Sequence, residues 1–388
     1  MRIAVVGSGP AALMLADCLA VAGAEVCIFE KRKGPAWKLY IAGASGLNIS
    51  NDLPLAQFAQ RYTGPAEFWN ACLRTFGPQD WLRFIEKELN LGTFLGTSGR
   101  YFVETMHAAK LVQNWRRRLT GLGLQFFFNH ECSDFDQSSG AIQLSFRDQL
   151  TQNFDAVGFA LGGGSWETEE IPLRWPTFFT SKGLQWRPFV PSNVGYELAW
   201  TPAFLKEAEG KALKNIKFSN RRGEQRGDLM VTSYGLEGTP IYSLGEIGSI
   251  FIDLKPDLSE QVLLQKLSSL QENLSPLRRA NKVLRLGAVA KALLFHFGGE
   301  AVQSLGGLVA VIKKFPLELL RARPLTEAIS SKGGICWTEL DESLALKQYP
   351  HVYCLGEMVN WDAPTGGFLI QACVSQGVWC AQHMLADL

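Results

Sequence analysis

Gly7, Gly9 and Ala12 stand in the spacing G-x-G-x-x-A directly after the apolar run from Ile3 to Val6. Small residues at this spacing can bind a diphosphate. Gly7 allows a tight turn, Gly9 lets the backbone approach an anion, and Ala12 lets a helix lie close to a strand. The backbone from Gly7 through Gly9, Pro10, Ala11 and Ala12 then opens a helix whose N-terminus would cradle the phosphates. Glu30 closes the next apolar run, EVCIFE, where a carboxylate would accept hydrogen bonds from ribose hydroxyls. Lys31 begins the run Lys31-Arg32-Lys33, which could touch a phosphate or form a solvated loop. Strand, glycine turn, helix, second strand and acid occur in order, so the stretch reads as an adenine dinucleotide site.

A second set of small residues lies at the other end of the chain. Val352 to Leu355 reads as a short strand ending in Gly356-Glu357, and Gly366-Gly367 opens a long helical pattern. Two glycine-led helix starts so far apart in sequence suggest one ligand held by both, and FAD is long enough. Its adenosine half would use the N-terminal unit, and its ribityl-flavin half would meet the C-terminal strand and helix.

These groups need an α/β scaffold. The expected fold is a Rossmann-like FAD-binding domain, a parallel sheet plus a β-meander, with an inserted mixed β/α domain. The first part of the FAD domain is expected over 1–186, the inserted substrate or cap domain over 187–323, and the C-terminal part over 324–388. Helical signals fall at 65–72, 78–89, 107–119, 258–272 and 282–297. Strand signals at 124–128, 141–147 and 155–161 suggest the meander. No second G-x-G-x-x-G follows a strand, so the insertion does not read as a nicotinamide-binding Rossmann domain.

The 388 residues carry a net charge of +1, which implies no strong attraction to nucleic acid or anionic lipid. The eight cysteines form no C-x-x-C, and no zinc pattern appears. Gly-Ser-Gly-Pro and Asp17 interrupt the N-terminal apolar run, so it is not read as a secretory signal. A cytoplasmic protein without membrane or nucleic-acid partners is expected.

Four motifs carry a family resemblance: GSGPAA at 7–12 with Glu30, KLYIAGASGLNISN at 38–51, ALGGGS at 160–165, and Gly333-Gly334-Ile335 followed by LGEMVNWDAPTGGFLIQA. They resemble those of the BaiN/YhiN-type bacterial flavoproteins, which have a glutathione-reductase-like FAD domain. The resemblance implies FAD and an oxidoreductase of poorly defined substrate. It implies that Lys38 and the loop from Gly43 through Gly46, Leu47 and Asn48 lie near the flavin, with Ala160, Gly162 and Gly163 at a strand end of the site. Glu357 would bind the ribityl chain. Gly366, Gly367 and Phe368 would meet the flavin pyrimidine end, with Asp362 nearby, and Cys132 could face the adenine. Three departures stand out. The family's R-C-N is Gly46-Leu47-Asn48, Ser233 stands where His is common in VTSYGLEGTP, and Ile370 replaces the Asn of the closing block.

The expected reaction is hydride transfer from a donor, NAD(P)H bound transiently, through the flavin to a small-molecule acceptor. No metal is expected, and no catalytic side chain is assigned. The alternative is a redox-sensing FAD protein with a macromolecular partner.

Overall fold

The computed structural model describes residues 1–43, 46–137, 140–168, 170–270 and 273–387. They form two compact units, one of Met1–Val190 with Ile329–Leu388 and one of Pro191–Ala328.

In the first unit, Ile3, Ala4, Val5 and Val6 are all buried, as a strand covered on both faces requires. Arg2–Val6 sits inside a six-stranded sheet ordered Ala345–Leu346, Tyr349–Cys354, Ala156–Phe159, Arg2–Val6, Glu25–Glu30, Gln125–Phe128. Neighbours run parallel except the first pair, which is antiparallel.

The helix Pro10–Val21 is buried along most of its length, from Ala11 to Asp17 and at Leu19, because it is covered on two sides. Towards the sheet, a Cβ on Gly158 would fall 2.4 Å from Leu15 Cδ2. Towards the closing helix Phe368–Asp387, a Cβ on Gly377 would fall 2.8 Å from Ala11 O and 2.9 Å from Leu15 N. The two ends of the chain therefore pack almost backbone to backbone.

Asp17 is the acid inside this helix, and it is buried. It accepts from Arg118 Nε at 2.9 and 3.0 Å and from Trp115 Nε1 at 3.3 Å, both on the helix Ala108–Gly121. Burial pushes its carboxyl up and Arg118 opposes the shift. Arg118→Met leaves that carboxylate buried without a cation, and should cost about 3 kcal/mol at neutral pH. A carboxyl raised above its unfolded value binds its proton more tightly in the folded state, so stability falls as pH rises through that window. The deficit of Arg118→Met should therefore shrink on mild acidification, which urea unfolding at two pH values will measure.

The meander differs from the expectation. It comprises Cys132–Asp136, Ile142–Phe146 and Thr151–Phe154, whereas Gln125–Phe128 and Ala156–Phe159 belong to the parallel sheet. Ala156–Phe159 is buried at every residue, the mark of a two-sided strand rather than a meander edge. The chain changes sheets at Asp155, whose N–H donates to Arg2 O at 2.9 Å and whose carboxylate accepts from Arg2 N at 2.6 Å.

The second unit holds a wholly antiparallel seven-stranded sheet ordered Phe315–Leu319, Gly248–Asp253, Ala212–Asn220, Gly223–Val231, Gly235–Glu237, Tyr196–Glu197, Arg321–Ala322. Its own core gathers Phe204, Phe218, Ile250, Leu263, Leu293 and Ile312. The expected helix over 282–297 is two helices, Pro276–Val283 and Ala288–Phe297. Arg285 takes φ 46° between them and Gly287 caps the second, which breaks the helical path. No helix among the described residues is long and apolar enough to cross a membrane.

Candidate dinucleotide site

Three strand ends meet at Gly7. Its N–H donates to Phe29 O at 2.8 Å, and its φ is +103°. A Cβ there would sit 2.2 Å from Ala160 O, so only glycine lets the first and third of these strands close together. Gly9 differs. It caps the helix in extended geometry, φ −73° and ψ 178°, and a Cβ on it would meet no atom within 4 Å. Pro10 occupies the first turn, where its missing N–H costs nothing. The result is a helix N-terminus facing open space.

That space is a cleft lined by both ends of the chain. It runs from Glu30, His130 and Cys132, past Gly7, Gly9, Pro10 and Ala11, to Gly356 and Glu357. Lys31, Lys38, Ala160 and Gly162 also line it. Ala12 lies beneath it, fully buried in the helix. Gly163 stands outside this lining and holds Lys38, its carbonyl accepting from Lys38 Nζ at 2.7 Å.

Glu30 accepts from the Ser8 hydroxyl and from Arg32 N at 2.9 Å, and burial pushes its carboxyl up. Behind it, Lys31, Arg32 and Lys38 share the buried carboxylate of Glu167, at 2.7, 3.7 and 3.7 Å. Lys31 and Arg32 also act on Glu30, and Lys38 acts on Glu357, so the three cations face three carboxylates in the same lining. Glu167 carries no motif in the sequence beyond being the acid just after GGGSW.

At the other end, burial pushes the Glu357 carboxyl up while Lys38 draws it down, and burial lowers Lys38 against the pull of Glu357 and Glu167. No described residue donates a hydrogen bond to the Glu357 carboxylate. Cys132 is a poor nucleophile: burial pushes its thiol up to about 12, and its Sγ lies 3.5 Å from Asp134 O. Cys373, also in the lining, is raised for the same reason, and all eight cysteines are free.

The remaining expected residues gather elsewhere in the same unit. Gly43 ends the helix Trp37–Ala42 against Ala108, and Gly46, at φ +115°, lies against Met106. Ala44 and Ser45 lie outside the described residues. Leu47 is buried, and Asn48 opens the strand Asn48–Asn51. Gly367 packs on that strand so closely that a Cβ would sit 2.5 Å from Ser50 N and O. Asn51 Nδ2 donates to Gly366 O at 3.3 Å, and the Ser50 hydroxyl to Gln371 Oε1 at 2.7 Å. Tyr62 OH donates to Phe368 O at 2.8 Å, and the Phe368 ring packs 4.7 Å from Phe58. These contacts fix the start of the closing helix. Trp361 is buried and donates to Gly356 O at 2.8 Å, while Asp362 N donates to Thr63 Oγ1 at 2.8 Å. These two bonds pin the segment at both residues. Arg100, which no sequence motif marks, reaches this corner, its Nε 3.5 Å from the Cβ position of Gly366.

The cleft suits an elongated adenine dinucleotide such as FAD on three counts: open space at Gly9, Lys31 and Lys38 in the lining, and a half-buried carboxylate at the far end still able to accept hydrogen bonds.

Residues 1–383 match a family model described as the HI0933-like protein Rossmann domain. The ribosomal RNA dihydrouridine synthase of Escherichia coli is 22% identical over 404 residues, covering 98% of this chain and 97% of that protein. A 3-ketosteroid delta1-dehydrogenase from Sterolibacterium denitrificans shares the fold with a TM-score of 0.56 at 12% identity, covering 100% of this chain and 99% of that one. A 3-ketosteroid-delta4-(5alpha)-dehydrogenase from Rhodococcus jostii gives 0.53 at 13% identity, covering 98% and 96%.

Proposed function

The chain belongs to the HI0933-like family, the group that its motifs resemble, and from that premise we propose that it binds FAD and works as a flavin-dependent oxidoreductase. The observation that carries this reading is the single cleft running from Glu30 past the Gly7–Ala11 turn to Glu357, built by both chain ends.

In this reading the amides opening the helix Pro10–Val21 bind the pyrophosphate, with Lys31 and Lys38 adding charge. Glu30 accepts from the adenosine ribose and Glu357 from the ribityl chain. The start of the closing helix, with Gly366, Gly367 and Arg100, offers backbone donors and a cation to the pyrimidine edge. When bound, FAD supplies two-electron chemistry, taking a hydride from one substrate and giving it to another.

For the donor we propose NAD(P)H, bound transiently. For the acceptor, the full-length relative is a ribosomal RNA dihydrouridine synthase. A uracil ring in RNA is therefore the acceptor we favour over a small molecule. The balance is NAD(P)H plus a proton plus uridine, giving NAD(P)+ and dihydrouridine. Leu47 stands where the family resemblance places a cysteine, and the thiols of Cys132 and Cys373 hold their protons tightly. The proton for the ring carbon is thus assigned to solvent rather than to a thiol.

Anaerobic mixing of the FAD-loaded protein with NADH or NADPH should bleach the visible flavin band, and adding uridine-containing ribosomal RNA should restore it with a gain of two hydrogens per modified base by mass spectrometry. A protein that takes up no FAD sinks the whole reading. A flavin that no small donor reduces favours a redox-sensing role.

A further inference from the structure

We propose that the solvent faces of the helices Pro276–Val283 and Ala288–Phe297 form a docking ridge for an RNA strand. The proposal rests on the RNA reading above and adds where the polymer is held.

The near-zero net charge hides an uneven distribution. From Asn273 to Gly299 the chain carries Arg278, Arg279, Lys282, Arg285 and Lys291 and neither Asp nor Glu. Arg279 is buried and used within the fold, donating to Leu274 O at 2.9 Å. The other four are exposed. Arg278 and Lys282 lie one turn apart on the first helix, and Arg285 projects from the linker between buried Leu284 and Leu286. Lys291 lies one turn before Phe295 on the second helix. None of the four makes an ion pair among the described residues. Asp257, on a nearby turn, is engaged by Arg226 and Asn215 at 2.7 Å each.

Phe295 is 68% exposed, with buried Leu293 and Leu294 pointing the other way. Glu207 meets His296 Nε2 at 3.1 Å beside that ring, so the acid there is engaged. An exposed ring one turn from unpaired Lys291, on the helix after the basic stretch, suits a partner with phosphates for the cations and flat bases for the ring. Single-stranded nucleic acid is that partner.

The test uses the FAD-loaded full chain and a short fluorescein-labelled uridine-rich RNA, read by anisotropy across salt concentrations. Each phosphate contact to a single strand adds about 0.7 to the logarithmic salt slope. Replacing Arg278, Lys282, Arg285 and Lys291 by Gln should therefore lower the slope by about 3, so that raising salt fourfold weakens the parent about 50-fold more than the variant. Phe295→Ala should lose about tenfold in affinity with the slope unchanged, because it removes stacking and no charge. Circular dichroism and flavin content check that both variants fold. RNA binding unchanged in folded variants overturns the proposal. So does a four-residue variant that loses phosphatidylserine vesicles while keeping RNA, which would make the ridge a membrane contact. Dihydrouridine formation is scored separately. If the parent binds RNA here yet makes none, the acceptor reading fails and the ridge stands; if it makes dihydrouridine while the variants bind normally, the reverse holds.

Discussion

Gly9→Val should fold like the parent and purify without colour. A Cβ at Gly9 meets no protein atom within 4 Å, and the backbone there is extended, so valine fits without strain. Its poor capping should cost only about 1 kcal/mol. The side chain would, however, project where a diphosphate must approach the helix N-terminus. FAD affinity should fall at least 100-fold, or about 3 kcal/mol, with the melting temperature of the apoprotein lowered by only about 2–4 °C. Gly7→Val should behave differently: its Cβ would lie 2.2 Å from Ala160 O at φ +103°, so the sheet itself must open. Flavin absorbance after reconstitution, alongside thermal unfolding, separates the two. A Gly9→Val protein with parental FAD affinity would remove the phosphates from this turn.

Gly377→Val should destabilise the first unit by about 3 kcal/mol, through overpacking of a helix interface. The inserted atoms would contact Ala11 O and Leu15 N, backbone atoms that cannot turn aside, so the two helices must separate. The melting temperature should fall by about 10 °C. Direction is the diagnostic. On an open helix, replacing Gly by Ala gains up to about 1 kcal/mol from propensity alone. Gly306, on the helix Leu305–Lys313, has no atom within 4 Å of its Cβ position and should show that gain in Gly306→Ala. Gly377→Ala should show a loss. A neutral or stabilising Gly377→Ala would mean that the closing helix does not press on the helix Pro10–Val21.

The turn at Gly7 and Gly9 is readable from sequence because its signal is local: backbone freedom is written in the residue types themselves. The Glu167 hub is not, because an acid shared by Lys31, Arg32 and Lys38 is remote in the chain from all three. Gln125–Phe128 is ambiguous in sequence for a related reason. Its apolar run is consistent with either a meander or a parallel strand, and only pairing with Glu25–Glu30 decides. The hairpin Ala212–Asn220 with Gly223–Val231 is largely hidden by its charged, half-exposed residues, which do not spell a clean alternation. Charge summed over the whole chain likewise conceals the basic stretch around Arg278 to Lys291, which a windowed count would have found.

The sheet order also dictates a timetable for biosynthesis. Arg2–Val6 is made long before its layer is finished by Tyr349–Cys354 and by a helix made after residue 367. All seven strands of the other unit come from the stretch in between, so that unit can assemble on the ribosome while the opening helix still lacks its cover. Until that last helix is made, Leu13, Leu15 and Leu19 of the opening helix lack part of their final packing, and apolar surface exposed at that stage favours aggregation.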